Sequence, residues 1–150
     1  MRKIIFLFFI LSVSLMATAQ IKDPVEWAFS AKKINNEDYE IHMTARIDKG
    51  WHIYSQSTPE GGPVPTSFIF NKNPLVSLDD KTKEVGTLEK NFEPLFGVEV
   101  KQFSNRVDFV QKIKVKGAVK TAITGSVEFM VCNDKECLPP KTENFTIPIK

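Results

Sequence analysis

Only two cysteines occur in the 150 residues, and they stand close together near the end of the chain, as Cys132 and Cys137 in VCNDKECLPP. Two thiols at this spacing can do three kinds of chemistry. They can close a structural disulfide, exchange electrons with other thiols, or contribute to a metal site. A ring of six residues gains little as a staple: loop-closure entropy gives about 2 kcal/mol, against about 4.7 for a 100-residue loop. A bond in a small surface loop can also open without dismantling a fold, and partners can reach it. The metal reading is the weakest. Structural zinc takes four ligands, often from C-x2-C pairs, and the remaining soft ligands are His42 and His52. His42 falls on the polar side of its strand, where solvent is its expected partner. Exchange and staple both stand at this point. Asp134 and Glu136 flank Lys135 between the cysteines. Acid neighbours raise a thiol pKa, whereas self-activated thiolates sit in electropositive places. The spacing is not the C-x-x-C of thioredoxin-like sites. If the pair is redox-active, it reads as a relay opened by a partner with the lower-pKa thiol.

The other end of the chain sets the compartment. MRKIIFLFFILSVSLMATAQ has a basic start, an apolar run over 4–16 and the small-x-small pattern Ala17-Thr18-Ala19. That is the pattern of a cleavable signal peptide, residues 1–19. The run is short for a membrane span, which needs about 20 residues, and no cysteine follows it for lipid attachment. Residues 20–150 then form one domain, expected to be soluble and without membrane insertion. Removing 1–19 removes Arg2 and Lys3, which leaves 18 basic and 18 acidic residues and no net charge. A neutral domain without a basic block is a poor candidate for nucleic acid. In an oxidising compartment a close pair of cysteines is normally joined.

The elements that must carry the pair are strands. In DYEIHMTARID, Tyr39, Ile41, Met43, Ala45 and Ile47 fall on one side and Glu40, His42, Thr44, Arg46 and Asp48 on the other. NRVDFVQKIKV repeats the alternation, with Val107, Phe109, Ile113 and Val115 inward. SVEFMVC places Val127, Phe129 and Val131 inward, and NFTIPI does so for Phe145, Ile147 and Ile149. Further candidates are VEWAFSAKKI, WHIYS and TSFIF. Period two marks half-buried strands, and no stretch after the leader shows a helical stripe. The class is all-β, a sandwich or barrel. STPEGGPVPT reads as a loop crossing between sheets. In WHIYS, Trp51 belongs to the core and His52, one residue out of phase, faces outward. SVEFMV leads as a strand into Cys132, and NDKE is a turn. The cysteines therefore face each other across a four-residue hairpin loop, within disulfide range. NFEPLFGVE carries Phe92, Leu95 and Phe96 around Pro94 and Gly97 where a turn belongs.

Three stretches in this order, KGWHIYSQ, PLFGVEV and VCNDKECLPP, resemble the N-terminal periplasmic domain of the DsbD-type thiol:disulfide interchange proteins, over roughly 24–149. The resemblance implies an immunoglobulin-like β-sandwich with a redox pair at one end, needing no cofactor and no metal. It implies a periplasmic domain that takes reducing equivalents from a thioredoxin-like domain and a CcdA/DsbD-type membrane electron transporter on another chain. These pass to periplasmic disulfide isomerases or cytochrome c maturation thioredoxins. By position, Cys137 forms the mixed disulfides and Cys132 resolves them. Leu95, Phe96 and Gly97 belong to a cap loop that shields the pair and opens on docking, supported by Phe92. His52, Tyr54 and Pro139 lie beside the site. The chain departs from the pattern in three places. Four residues separate the cysteines where the best-known members have five, Leu95 stands for a Phe, and His52 for a Tyr. The rival reading is a non-catalytic immunoglobulin-like binding module with a hairpin staple.

Overall fold

The computed structural model describes residues 22–117 and 119–150; the expected signal peptide, 1–19, lies outside them. The described residues hold eleven strands and no helix. In chain order they are β1 (Val25–Lys33), β2 (Asp38–Ile47), β3 (His52–Tyr54), β4 (Ser67–Phe70), β5 (Val76–Val85), β6 (Glu89–Glu93), β7 (Val98–Ser104), β8 (Arg106–Val115), β9 (Thr121–Phe129), β10 (Val131–Cys132) and β11 (Lys141–Ile149). All pairings are antiparallel. They form three sheets, ordered β1-β2-β8-β5, β10-β3-β7-β6 and β11-β9-β4. The architecture is an immunoglobulin-like β-sandwich.

Alternation in the sequence becomes alternation in burial. Tyr39, Ile41, Met43, Ala45 and Ile47 of β2 are buried, as are Val107, Phe109, Ile113 and Val115 of β8. They meet Ile123, Val127 and Phe129 of β9 and Phe145, Ile147 and Ile149 of β11 in one core. Aromatic rings bind the layers. Trp27 of β1 touches Phe68 of β4 and Phe129 of β9, and Phe29 lies 5.0 Å from Phe145 of β11. Each large side chain buried this way contributes roughly 1.5–3 kcal/mol before entropy is counted. The outward side of β2 differs from expectation at His42. Its Nδ1 lies 2.7 Å from Asp108 Oδ2 on β8, so its partner is that carboxylate and not solvent alone.

Gly125 of β9 sits where two strands close in. A Cβ there would lie 2.2 Å from the Ile69 carbonyl oxygen and 2.6 Å from Phe145 Cζ. Only glycine leaves room for both neighbours.

Two strands position the site. β3 ends at Tyr54 in one sheet and β4 starts at Ser67 in another, so the Pro- and Gly-rich segment does cross between sheets. β9 runs past Met130 into β10, which carries Cys132 out of the main core and into the β10-β3-β7-β6 sheet.

Candidate functional site

Cys132 and Cys137 are joined as a disulfide, with Cα atoms 4.1 Å apart. They face each other as an antiparallel bridge, as expected for a hairpin with a four-residue loop. The loop is built by its own polar residues. Asn133 N–H donates to the Glu136 carbonyl at 2.9 Å, and Asn133 Oδ1 accepts the N–H groups of Lys135 and Glu136 at 2.8 and 2.9 Å. An Asn side chain closing its own turn in this way is a common turn device. Leu138 N–H then rejoins Val131 at 2.9 Å. The acidic character read from the loop is offset in space. Lys22, from the segment before β1, donates to Glu136 Oε1 and stands over the Trp51 ring.

The sheet beneath the pair is covered on both faces. Ile53, Phe103 and Val131 face the main core. The alternate residues Tyr54, Val100 and Cys132 form a second, smaller cluster on the other side. Phe96, Val98, Met130 and Cys137 pack against it. Cys132 is wholly buried, whereas Cys137 is partly exposed. The two cysteines are therefore unequal in exposure.

His52 corrects the sequence reading. Its phase was right, since it points away from the main core, opposite Cys132 in the β10–β3 register. The face it points to is covered, however, and His52 is buried. On that face lie Glu93, at the end of β6, and Phe96, in the turn between β6 and β7. The turn spans 94–97, and its closing bonds run from Gly97 N–H and Phe96 N–H to the Glu93 carbonyl, at 2.8 and 3.2 Å. Gly97 has φ +70°, a conformation that side chains disfavour.

Glu93 is the residue that sequence reasoning missed. It is only 4% exposed, although it is a carboxylate. Tyr54 Oη–H donates to its Oε2 at 2.9 Å, and His52 Nε2 lies 3.3 Å from the same oxygen and 3.1 Å from Tyr54 Oη. Since the phenol donates to the carboxylate, the network assigns a proton to His52 Nε2, shared between the two oxygens. Leu95 N–H approaches Glu93 Oε1 at 3.4 Å. Burial raises the pKa of Tyr54 well above its usual value, and the hydrogen bond to Glu93 and its negative charge add to this. A signal for Glu93 was present: an ionisable residue inside the apolar run Phe92 to Phe96.

The other expected site residues divide. Of the cap residues, Phe96 alone packs on the cysteine cluster. Leu95 is 51% exposed, and Phe92, on β6 itself, is 63% exposed. Tyr54 lies at the heart of the cluster. Pro139 is exposed, two residues beyond Cys137. Among the described residues no group of three or more His, Cys, Asp or Glu side chains is placed to hold a metal ion, and no helix is long and apolar enough to cross a membrane.

The family described as "Thiol:disulfide interchange protein DsbD, N-terminal" matches residues 18–148. No curated protein matches the chain. Among solved structures, the N-terminal periplasmic domain of ScsB from Proteus mirabilis is similar with a TM-score of 0.54 at 16% identity, covering 83% of this chain and 44% of that one. This chain thus spans less than half of that protein's length. The DsbD N-terminal domain of Neisseria meningitidis, in its reduced form, is similar with a TM-score of 0.51 at 15% identity, covering 81% and 83%. At these identities the likeness is one of fold.

Proposed function

The chain belongs to the family of DsbD N-terminal domains, and from that premise we propose that it relays reducing equivalents in the periplasm through Cys132 and Cys137. Thiol–disulfide interchange is the family's general activity; the relay, its partners and its compartment are our reading. The observation that carries it is the unequal exposure of the two cysteines: Cys132 is wholly buried, and Cys137, partly exposed, packs with Phe96 against the same small cluster.

The chemistry follows from that inequality. A donor thiolate attacks Cys137 Sγ, the sulfur it can reach. The Cys132–Cys137 bond breaks and a donor–Cys137 bond forms. Cys132 leaves into an apolar cluster, where a thiolate is disfavoured, so it takes up a proton. The donor's second thiolate attacks the donor's own sulfur in the mixed disulfide and releases Cys137. The donor is oxidised by two electrons and the domain is reduced by two. Delivery runs in reverse. Cys137 thiolate attacks an acceptor disulfide, and Cys132 then attacks Cys137 Sγ, regenerating the bond and leaving the acceptor as a dithiol.

The donor in this reading is a thioredoxin-like domain recharged by a membrane electron transporter. The acceptors are periplasmic thioredoxin-fold proteins, such as disulfide isomerases or cytochrome c maturation factors. The turn at 94–97 acts as the cap, with Phe96 as the side chain that lies on the pair. His52 and Tyr54 shape the floor, and Leu95 meets the partner. Export by removal of residues 1–19 supplies the compartment.

The test is a redox titration of the exported domain. Structural disulfides lie below about −300 mV, and exchange-active ones lie higher. The relay requires a potential above that line. A value far below it, with no reduction by a thioredoxin-like protein, would favour the staple.

A further inference from the structure

We propose that Glu93 is the positioning residue of the cap: its buried carboxylate, held by Tyr54 and His52, keeps the 94–97 turn closed over the disulfide. This rests on the cap reading given above and goes further, to the group that sets the cap's position.

An ionised carboxylate taken out of water loses several kcal/mol of hydration even after relaxation. Apolar packing of similar volume often stabilises a fold as well or better. Glu93 is nonetheless buried, and its side-chain hydrogen bonds and the turn-closing bonds to its carbonyl end either in the turn or on the floor beneath it. Its main-chain carbonyl takes the N–H groups of Phe96 and Gly97. Its Oε1 faces the N–H of Leu95. Its Oε2 takes the phenol of Tyr54 and faces His52 Nε2. Glu93 is the last residue of β6, immediately before the turn.

These bonds are graded. The bonds from Tyr54 to the carboxylate, 2.9 Å, and from Gly97 N–H to the Glu93 carbonyl, 2.8 Å, are the short ones; they tie Glu93 to the floor and the turn to Glu93. The bond to Leu95, 3.4 Å, is long. The turn is thus held firmly to Glu93 and reaches the floor through the Glu93 carboxylate, so that releasing this carboxylate frees the turn to lift without unfolding β3. His52 strengthens the anchor, because its Nε2–H meets both the phenol and the carboxylate. Tyr54 is itself part of the cluster that contains Cys132. The anchor and the buried sulfur therefore share a floor.

The experiment measures reduction of the Cys132–Cys137 disulfide by a small uncharged phosphine, so that neither a protein partner nor a charge on the reagent enters. The exported chain is compared with Glu93→Ala, Glu93→Gln, Tyr54→Phe and Phe96→Ala, each at a temperature well below its melting transition. Glu93→Ala is expected to speed reduction by about tenfold, equivalent to about 1.4 kcal/mol less in favour of the closed turn. Glu93→Gln keeps an oxygen for the Tyr54 hydroxyl and is expected to recover part of the protection. Tyr54→Phe is expected to lose part of it. A Glu93→Ala rate within about twofold of wild type, the spread of a neutral change, overturns the proposal. If that variant does not fold, Glu93→Gln and Tyr54→Phe both at the wild-type rate do the same. Phe96→Ala separates the two layers of the argument. If it speeds reduction while the Glu93 variants do not, the cap stands and the anchor falls. If it too is silent, the cap reading falls with the anchor.

Discussion

The phenol of Tyr54 donates to the carboxylate of Glu93 across 2.9 Å, joining the floor of the cysteine cluster to the strand end from which the covering turn departs. Cys132 lies on the same floor, opposite His52. The disulfide is thus not a free hairpin tip. One of its sulfurs is built into a small second core, with its own apolar contacts and its own buried acid.

Tyr54 gives the first prediction, in alkali. Its pKa is raised in the folded chain, so folding favours the neutral phenol. This contribution is fully present below pH 10, the ordinary tyrosine value. Above it the unfolded chain ionises first, and stability is lost as pH rises towards the folded pKa. The loss approaches about 1.4 kcal/mol per pH unit for one group. Urea melts between pH 8 and 11 should show this decline, and Tyr54→Phe should flatten it. Equal slopes in the two proteins would contradict the burial argument.

The cap residues should differ. Phe96 packs on the cysteine cluster, and its truncation removes roughly 1–2 kcal/mol of apolar contact. Phe96→Ala should quicken reduction of the disulfide by about fivefold or more. Leu95 is half in solvent, so Leu95→Ala should leave that rate within about twofold. Leu95→Ala should instead slow exchange with a thioredoxin-like partner if that side chain meets it. Stopped-flow reduction with a small phosphine and with a protein donor separates the two effects.

Removing the disulfide should leave the fold in place. The six-residue ring contributes about 2 kcal/mol at most by loop entropy. Calorimetry of Cys132→Ala/Cys137→Ala should therefore show Tm lower by less than about 8 °C. Failure to fold would mean that the bond is a structural requirement, and the staple reading would gain.

Gly125 should tolerate no side chain. The nearest obstacle to a Cβ is the Ile69 carbonyl, 2.2 Å away and part of the backbone. Gly125→Ala must push β4 away from β9 or bend β9, at a cost of about 3 kcal/mol or more. The measurement is a denaturant melt, and a shift under about 1 kcal/mol would show that the strands yield more easily than their spacing indicates.

Much of the sandwich was legible because most strands are buried on one face only. β2, β8, β9 and β11 alternate in sequence as they do in burial, and period two finds such strands directly. β5 and β7 gave no such signal, for opposite reasons. β5 is an edge strand, mostly exposed, with a shift of register between Asp79 and Lys83. Gln111 fills that bulge, donating to the Asp79 carbonyl at 2.9 Å. β7 is buried on both faces, with Phe103 in the main core and Val100 in the second cluster, and the polar Gln102 is buried too. The alternation begun over Val98 to Lys101 is too short to mark a strand, because Gln102 and Phe103 are then both buried regardless of phase.

The same geometry explains His52. A residue out of phase with the core faces solvent only if nothing covers that side. Here Glu93, some forty residues later in the chain, stands on that side, and no local pattern announces it. Glu93 is harder still: its apolar neighbours Phe92, Leu95 and Phe96 mark it as unusual, but its burial shows only once Tyr54 is seen beside it.

The central claim is that Cys137 is the sulfur partners attack and Cys132 the one that resolves. It is tested most directly by incubating purified Cys132→Ser and Cys137→Ser variants with a thioredoxin-like protein activated as its mixed aromatic disulfide. Non-reducing mass spectrometry then counts the covalent complex. The account predicts that Cys132→Ser accumulates the complex through Cys137 and that Cys137→Ser, whose remaining thiol is buried, accumulates little. Complex in the Cys137→Ser variant alone, or in neither variant, would contradict it.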